Sequence, residues 1–371
     1  MLRSRWRAQL EGLCRVSMLS RVDLLWPIII AAPLLAAAAS AALTLVLSRN
    51  AIAWLRIVDH PNERSLHRAP VPRNGGVALL FGVASGMALI LPMLAPSGVL
   101  IWPALAIALL LVGGVSLLDD RRHVPQRYRL LVHASAGLLL YLAGLRWDQI
   151  GLPGLDTLFP DWLALGLTLL YVVWMINLYN FMDGMDGFAG GMAVFGFGGL
   201  ALLGLIGHAL PFAVTALVIA ASAAGFLTRN FPPARIFLGD VGSSVLGLLA
   251  AAMTLWGAGI GLFPLWVGWL LFSPFIVDAT WTLLRRILNG EAFWLAHRSH
   301  HYQRLVLAGW GHRRTLLRAY AVMAAAAASA VAAPGMPEQE QWLLLLGWAA
   351  IYGLIHVRVG LAERLAEADR R

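Results

Sequence analysis

Val99-Leu-Ile-Trp-Pro-Ala-Leu-Ala-Ile-Ala-Leu-Leu-Leu-Val-Gly-Gly-Val-Ser-Leu-Leu-Asp119-Asp120 runs through 99–118 without a charge and then sets two carboxylates side by side. A bilayer core takes about 20 apolar residues per helix, so 99–118 reads as one membrane span. An ionised Asp at the middle of such a helix costs roughly 2.5–3.5 kcal/mol, which drives acids to span ends unless chemistry needs them. Three more carboxylates repeat the pattern of an acid at the margin of an apolar segment: Asp183, Asp186 and Asp240.

Working outward, the chain is 60% hydrophobic and 13% charged over 371 residues, a balance that excludes a soluble domain. Ten further spans are expected, at 24–48, 75–95, 130–145, 162–179, 188–207, 211–228, 243–260, 263–284, 316–333 and 342–357. The expected fold is all-α, a polytopic membrane bundle of about 10–11 transmembrane helices with catalytic loops on one side. One transmembrane domain covers 24–358, with a tail at 359–371 and a basic extension at 1–23. Arg3, Arg5, Arg7, Arg15 and Arg21 put that extension on the wrong side for its charge, which a start at Met18 would explain. Cys14 is the sole cysteine, so no intrachain disulfide forms.

All 28 basic residues are arginine. With 1–23 set aside, threading the spans gathers 22 of them on the loops at 49–74, 119–129, 177–187, 229–242 and 285–315, the adjoining helix ends and the C-terminus, leaving Arg146 alone on the opposite loops. By the positive-inside rule the first set is cytoplasmic. The net charge of +9 therefore belongs to one membrane face, suited to anionic lipid and phosphorylated substrates rather than nucleic acid.

The loops on that face carry the polar motifs. Pro70-Val-Pro-Arg73-Asn-Gly-Gly76 is a constrained run, and Arg64, Arg68 and Arg73 offer forked donors for phosphate. Asp119 and Asp120 oppose the dipole of the helix they end; Arg121 and Arg122 offset this, but a bound cation explains two adjacent acids more economically. Asn177-Leu-Tyr-Asn180-Phe-Met-Asp183-Gly-Met-Asp186-Gly187 repeats an amide or acid every third residue, lining one helical face. Phe237-Leu-Gly-Asp240-Val-Gly-Ser243 sets an acid between glycines; Phe237 reads equally as packing or as a surface for a base. His297-Arg298-Ser-His300-His301 places imidazoles among arginines, which favours neutral rings or anion binding. Asp278, about two turns inside the 263–284 span and on the same face as Arg285, reads as structural support, with a catalytic role the minor option.

Carboxylates that converge need a cation: at an effective dielectric of about 20, two charges 4 Å apart repel by about 4 kcal/mol. Magnesium accepts oxygen-only ligands and keeps one or two carboxylates beside substrate phosphates. Acids, arginines and histidines on one headgroup-level surface describe phosphoryl transfer.

These motifs resemble the polyprenyl-phosphate N-acetylhexosamine-1-phosphate transferases over about residues 55–320. The resemblance rests on Asp119-Asp120, Asn177-x-x-Asn180-x-x-Asp183-Gly-x-Asp186-Gly, Phe237-x-Gly-Asp240-x-Gly-Ser243 and His300-His301. It implies transfer of a sugar 1-phosphate from a UDP-N-acetyl sugar to undecaprenyl phosphate, with release of UMP, on the cytoplasmic face of a bacterial inner membrane. It also implies Mg2+, with Mn2+ able to substitute, bound by Asp240 and Asp183. Catalytic roles fall to Asp119, Asp120, Asp183, Asp186, His300 and His301, Asp119 or Asp120 acting as base. Substrate contacts fall to Arg64, Arg73, Asn177, Asn180, Phe237 (against uracil) and Arg298. Ser299-His300-His301-Tyr302-Gln303 departs from the three consecutive histidines of the muramoyl-pentapeptide branch and points to the branch that initiates O-antigen and other surface polysaccharides. A homodimer accords with the family, and direct attack by the lipid phosphate is preferred to a covalent intermediate. The competing class is a transporter with ion-coupling Asp, which would set acids near the midplane of a repeated fold.

Overall fold

The computed structural model describes residues 26–49, 57–59, 70–94, 100–122, 124–291 and 297–369. The basic extension and Arg64 lie outside the described residues. The long helices are α1 (Trp26–Ser48), α2 (Gly75–Leu94), α3 (Ile101–Arg121), α4 (Gln126–Leu142), α5 (Asp161–Met182), α6 (Phe188–Ile206), α7 (Leu210–Asn230), α8 (Gly239–Gly259) and α9 (Leu265–Leu288). After the five-residue α10 (His301–Leu305) come α11 (Gly311–Ala332) and α12 (Glu338–Ala368). Each of the eleven expected spans coincides with one long helix. Among the described residues, nine helices are long and apolar enough to cross a membrane by length and composition, with Gly75–Leu91 a shorter apolar stretch. The protein is thus an all-α polytopic membrane protein.

The boundaries differ from the expected spans in ways that bear on function. Hydropathy marks only the apolar part of a helix, whereas backbone hydrogen bonding carries it on into polar residues. α8 starts four residues before the expected 243, so Asp240 sits in its first turn. α5 continues through Asn177 and Asn180 and stops at Met182, making Asp183 its C-cap. α4 begins after Pro125 and takes Arg127 and Arg129 into its first turn. α12 runs on to Ala368, so most of the expected tail is helix.

α8 is the axis of the bundle: 94% of its central apolar stretch is buried, against 11% for α12. Its Gly, Ser and Ala residues let neighbouring backbones approach, as membrane helices need when no hydrophobic drive separates protein from lipid. At Gly247 an added Cβ would lie 2.4 Å from the Met175 carbonyl oxygen of α5. α3, α5 and α2 pack around α8, and α6 and α7 form a second, closely packed pair. In α9, Pro274 cannot donate to the Leu270 carbonyl; the Ser273 hydroxyl does so instead at 2.7 Å, and also meets the Tyr352 hydroxyl of α12 at 2.6 Å.

Alternation brings loop and helix ends together at both faces. At one end the 143–160 connection meets the start of α12, where Trp342 Nε1 donates to the Pro153 carbonyl at 3.2 Å. At the other, arginine-rich end, a two-residue antiparallel pair, β1 (Val58–Asp59) and β2 (Val71–Pro72), leads into α2. Replacing Gly247 with Leu is expected to force α5 and α8 apart and cost about 1–3 kcal/mol, read as a lower unfolding temperature in detergent; unchanged unfolding would contradict the close α5–α8 contact.

Candidate active site

The site forms where the ends of α3, α5 and α8 meet the start of α2. Arg73 joins them. Its Nη2 lies 2.6 Å from Asp120 Oδ1 and 3.1 Å from Asp240 Oδ1, and its Nη1 lies 3.6 Å from Asp59 Oδ1. One guanidinium nitrogen is thus shared by acids 120 residues apart in the chain. Arg129, on α4, pairs with Asp119 and approaches Asp240 Oδ2 at 4.0 Å.

Asp120 resolves the dipole problem raised by its position at the C-terminal end of α3. Its carboxylate, 1% exposed, accepts the Asp240 N–H at 3.2 Å and the Val241 N–H at 3.3 Å. It therefore caps the N-terminus of α8, where free N–H groups and the helix dipole favour negative charge. Asp119 accepts the Val124 N–H at 2.8 Å through its other oxygen. Both acids are consumed in holding the helix ends, whereas the Asp240 side chain is 23% exposed.

The backbone around Arg73 is clasped to the start of α8. Phe237 N–H donates to the Pro72 carbonyl at 2.7 Å, and Gly75 and Gly76 N–H donate to the Phe237 and Leu238 carbonyls at 2.9 and 2.7 Å. Gly239 has φ +76°, and a Cβ there would lie 2.3 Å from the Arg73 carbonyl oxygen. A Cβ on Gly76 would lie 2.2 Å from the Gly242 nitrogen, so the two helix starts touch backbone to backbone. The constrained Pro-x-Pro-Arg-x-Gly-Gly run is the part that makes this clasp. Phe237, half-buried, is part of it.

α5 supplies the next wall. Asn180 Nδ2 donates to Ser243 Oγ of α8 at 3.3 Å. Asp183 faces the Gly239 N–H; burial, with Asp240 and Asp120 nearby, holds its carboxyl well above the ordinary carboxylate range despite Arg73. Asn177 lies a turn deeper and is used between helices, donating to the Val173 carbonyl at 2.7 Å and lying 3.4 Å from His133 Nδ1. Asp186 is brought elsewhere: it accepts the Ala234 N–H at 3.0 Å and lies 3.2 Å from His312 Nδ1, fastening the 231–237 loop rather than joining the Arg73 cluster. The three-residue spacing continues past Asp183 only if the helix does, and α5 ends at Met182.

The histidine loop docks from the far side through Tyr302, whose hydroxyl donates to the Phe181 carbonyl at 3.2 Å and lies within electrostatic reach of both Asp183 and Asp278. Asp278 organises the loop. Its Oδ1 accepts the His301 N–H at 2.9 Å and the Thr282 hydroxyl at 3.2 Å, with His301 Nδ1 at 3.1 Å and His300 Nδ1 at 3.6 Å. His301 Nε2 lies 3.0 Å from His356 Nδ1 on α12. Both ring nitrogens of His301 are thereby engaged within the protein, which opposes the expected direct contact of His301 with substrate. His300 is buried, stacked between Phe181 and Tyr302. His297 is pushed down to about 4 by burial, His300 and Arg286, so it is neutral at physiological pH. Arg298 lies half-exposed in the same turn.

Arg129, Tyr302 and His356 escaped the reading of the sequence. Only Arg129 left a signal, as an arginine near the paired acids it neutralises. Among the described residues no three His, Cys, Asp or Glu side chains close tightly enough to cage an ion, and the donors that do gather are oxygen. Asp119, Asp120, Asp183 and Asp240 carry four carboxylates against the two guanidiniums of Arg73 and Arg129, a surplus of two negative charges when all are ionised.

Acids and arginines gathered at one end of a membrane helix bundle suit chemistry on an anionic substrate at the bilayer surface. Residues 102–258 match glycosyl transferase family 4. The chain is 31% identical over 271 residues, 71% of its own length and 74% of the relative's, to the Bacillus subtilis (strain 168) protein titled "Probable undecaprenyl-phosphate N-acetylglucosaminyl 1-phosphate transferase". It is 31% identical to the decaprenyl-phosphate N-acetylglucosaminephosphotransferase of Mycobacterium leprae, covering 82% and 83% of the two chains. To the undecaprenyl-phosphate alpha-N-acetylglucosaminyl 1-phosphate transferase of Yersinia pestis it is 28% identical, covering 88% and 90%. The chain belongs to glycosyl transferase family 4.

Replacing Asp120 with Ala would take from Arg73 its shortest carboxylate contact and strand two N–H groups of α8. Leaving buried N–H groups unsatisfied costs about 1–3 kcal/mol each, so the variant is expected to unfold at a lower temperature in detergent. An unfolding temperature equal to wild type would remove Asp120 from its capping role.

Proposed function

We propose that the protein transfers N-acetylhexosamine 1-phosphate from a UDP-sugar to undecaprenyl phosphate at the cytoplasmic face of a bacterial membrane, beginning a lipid-linked surface polysaccharide. The observation that carries this reading is the cluster of Asp120, Asp183 and Asp240 about Arg73 at the arginine-rich end of a lipid-embedded bundle. The names of the relatives support N-acetylglucosamine as the first sugar to test. The transporter alternative fits poorly, since these acids lie at helix ends.

In the proposed step an oxygen of the lipid phosphate bonds to the sugar-bearing phosphorus. The bond from that phosphorus to the bridging oxygen breaks, and UMP leaves with the bridging oxygen and its electron pair. The acceptor is already an anion, so charge neutralisation and alignment carry the catalysis. Asp240, whose side chain is 23% exposed, and the neighbouring Asp183 are the residues proposed to hold Mg2+, which when bound would neutralise the diphosphate. Two carboxylates suffice, since magnesium keeps waters and substrate phosphates in its other positions. Arg73 holds Asp240 in place and presents positive charge to the anionic substrates. Asp119 and Asp120 act as positioning residues, because their oxygens are committed to Arg129, Arg73 and backbone N–H groups. Asn180 and Phe237 border the proposed nucleotide side. Asp278 fixes His301, and through it the turn bearing His300 and Arg298.

Membranes containing the protein, given UDP-N-acetylglucosamine and undecaprenyl phosphate, are expected to release UMP. Replacing Asp240 with Asn should lower the rate by about 100-fold or more, the order lost with one preorganised charge-stabilising group. Chelator should stop the wild type and added Mg2+ restore it. Full activity of the Asn variant, or indifference to chelator, would refute the assignment of Asp240 to the metal.

Burial and the neighbouring acids favour the protonated form of the Asp183 carboxyl, and a cation held there would compete with that proton. Protein without substrate is therefore expected to release protons on titration with Mg2+ in weak buffer. Its affinity should rise with pH, because fewer protons then compete. Proton-neutral binding would rule out Asp183 as a ligand.

A further inference from the structure

Away from the carboxylate cluster, a cavity of about 390 Å3 opens between α9, α11 and α12. α12 leans on α10 and the 306–310 turn, but packs far less closely against α9 or α11. Ser273 and Tyr352 hold the helices at one level, and the space beside them is lined by apolar groups such as Pro274, Val277 and Val322. Apolar walls contributed by three membrane helices suit a hydrocarbon chain, and the volume falls within the usual range of ligand pockets, about 300–1,000 Å3.

The polar groups of the cavity match an anion. Arg318 of α11 and Arg358 of α12 both line it, from the arginine-rich ends of their helices, and neither has a carboxylate partner among the described residues. Arg318 is fixed over the Trp310 ring, 4.1 Å from its centroid. Thr315 also lines the cavity; it is 3% exposed and its hydroxyl has no hydrogen-bond partner. A buried hydroxyl without a partner costs stability unless something else supplies one. Asp278 reaches the cavity too, but its charge is taken up by His300, His301 and Thr282.

We propose that this cleft is a binding site for an anionic glycerophospholipid, whose phosphate lies between Arg318 and Arg358 beside Thr315 while an acyl chain lies along α9 and α11. Basic pockets between membrane helices on the cytoplasmic side favour such headgroups. The occupant is a structural lipid rather than the acceptor. Tyr302 and Phe188, both buried, wall the cavity off, and Asp183 lies on the Phe181 and Gly184 side of Tyr302. The lipid would brace α12 against α10, where Arg304 pairs with Glu363 and His356 meets His301.

The test is native mass spectrometry of the full chain in mild detergent, titrated with phosphatidylglycerol, phosphatidylcholine or undecaprenyl phosphate, alongside UMP release as a separate readout. Wild type is expected to retain one phosphatidylglycerol at least about tenfold more strongly than phosphatidylcholine. The Arg318→Gln/Arg358→Gln variant should lose that preference. Ala319→Trp keeps both arginines and fills the cavity, and should lose the lipid too, which guards against a variant that merely misfolds. Equal retention by all three proteins, or undecaprenyl phosphate displacing phosphatidylglycerol from these arginines, would overturn the proposal. The binding result stands apart from the transferase reading, which only UMP release addresses.

Discussion

The contact of the Arg73 guanidinium with Asp120 and Asp240 is the interaction on which the site depends. It joins the start of α2, the end of α3 and the start of α8 at a single nitrogen. Asp120 at the same time caps α8, so the acid that fixes the backbone and the acid left accessible are held by one cation. Neither could sit here alone: uncompensated charge at the edge of a bundle this apolar would be too costly to desolvate. The glycines at 76 and 239 allow the backbones to approach closely enough for one side chain to span three helices.

This arrangement divides the acids into two groups by accessibility rather than by chemical type. The Asp119 and Asp120 side chains are enclosed and hydrogen-bonded, whereas the Asp240 side chain stays partly open, with Asp183 beside it. A phosphoryl-transfer site needs this division, because a ligand set must be stiff while still offering positions to waters and phosphates. The histidine turn adds a second stiff element, with Asp278 and His356 gripping His301 from both sides.

The helices were legible because hydrocarbon demands unbroken apolar runs, and each run from 24–48 to 342–357 became one. Asp183 and Asp240 were legible as acids placed where lipid penalises them. The polar ends of the helices were not: hydropathy ends where backbone hydrogen bonding continues, so Asp240 moved from a loop into the first turn of α8. Partners distant in sequence were hidden as well. Nothing local to Asp119 marks Arg129 as its partner over Arg121 or Arg122, and nothing near His301 points to His356 on the last helix. Asp186 misled because three-residue spacing implies a shared face only within a helix, and Gly184 and Gly187 lie beyond the end of α5. Whether Arg64 meets substrate was not readable from its loop, where every arginine satisfies the positive-inside bias equally.

The most direct measurement is electron paramagnetic resonance of Mn2+ added to the purified protein with UDP-N-acetylglucosamine. A single bound Mn2+ with phosphorus hyperfine coupling is predicted, lost when Asp183 or Asp240 becomes Asn and retained, with weaker coupling, when His301 becomes Gln. An identical spectrum from the Asp240→Asn protein would contradict the account at its centre.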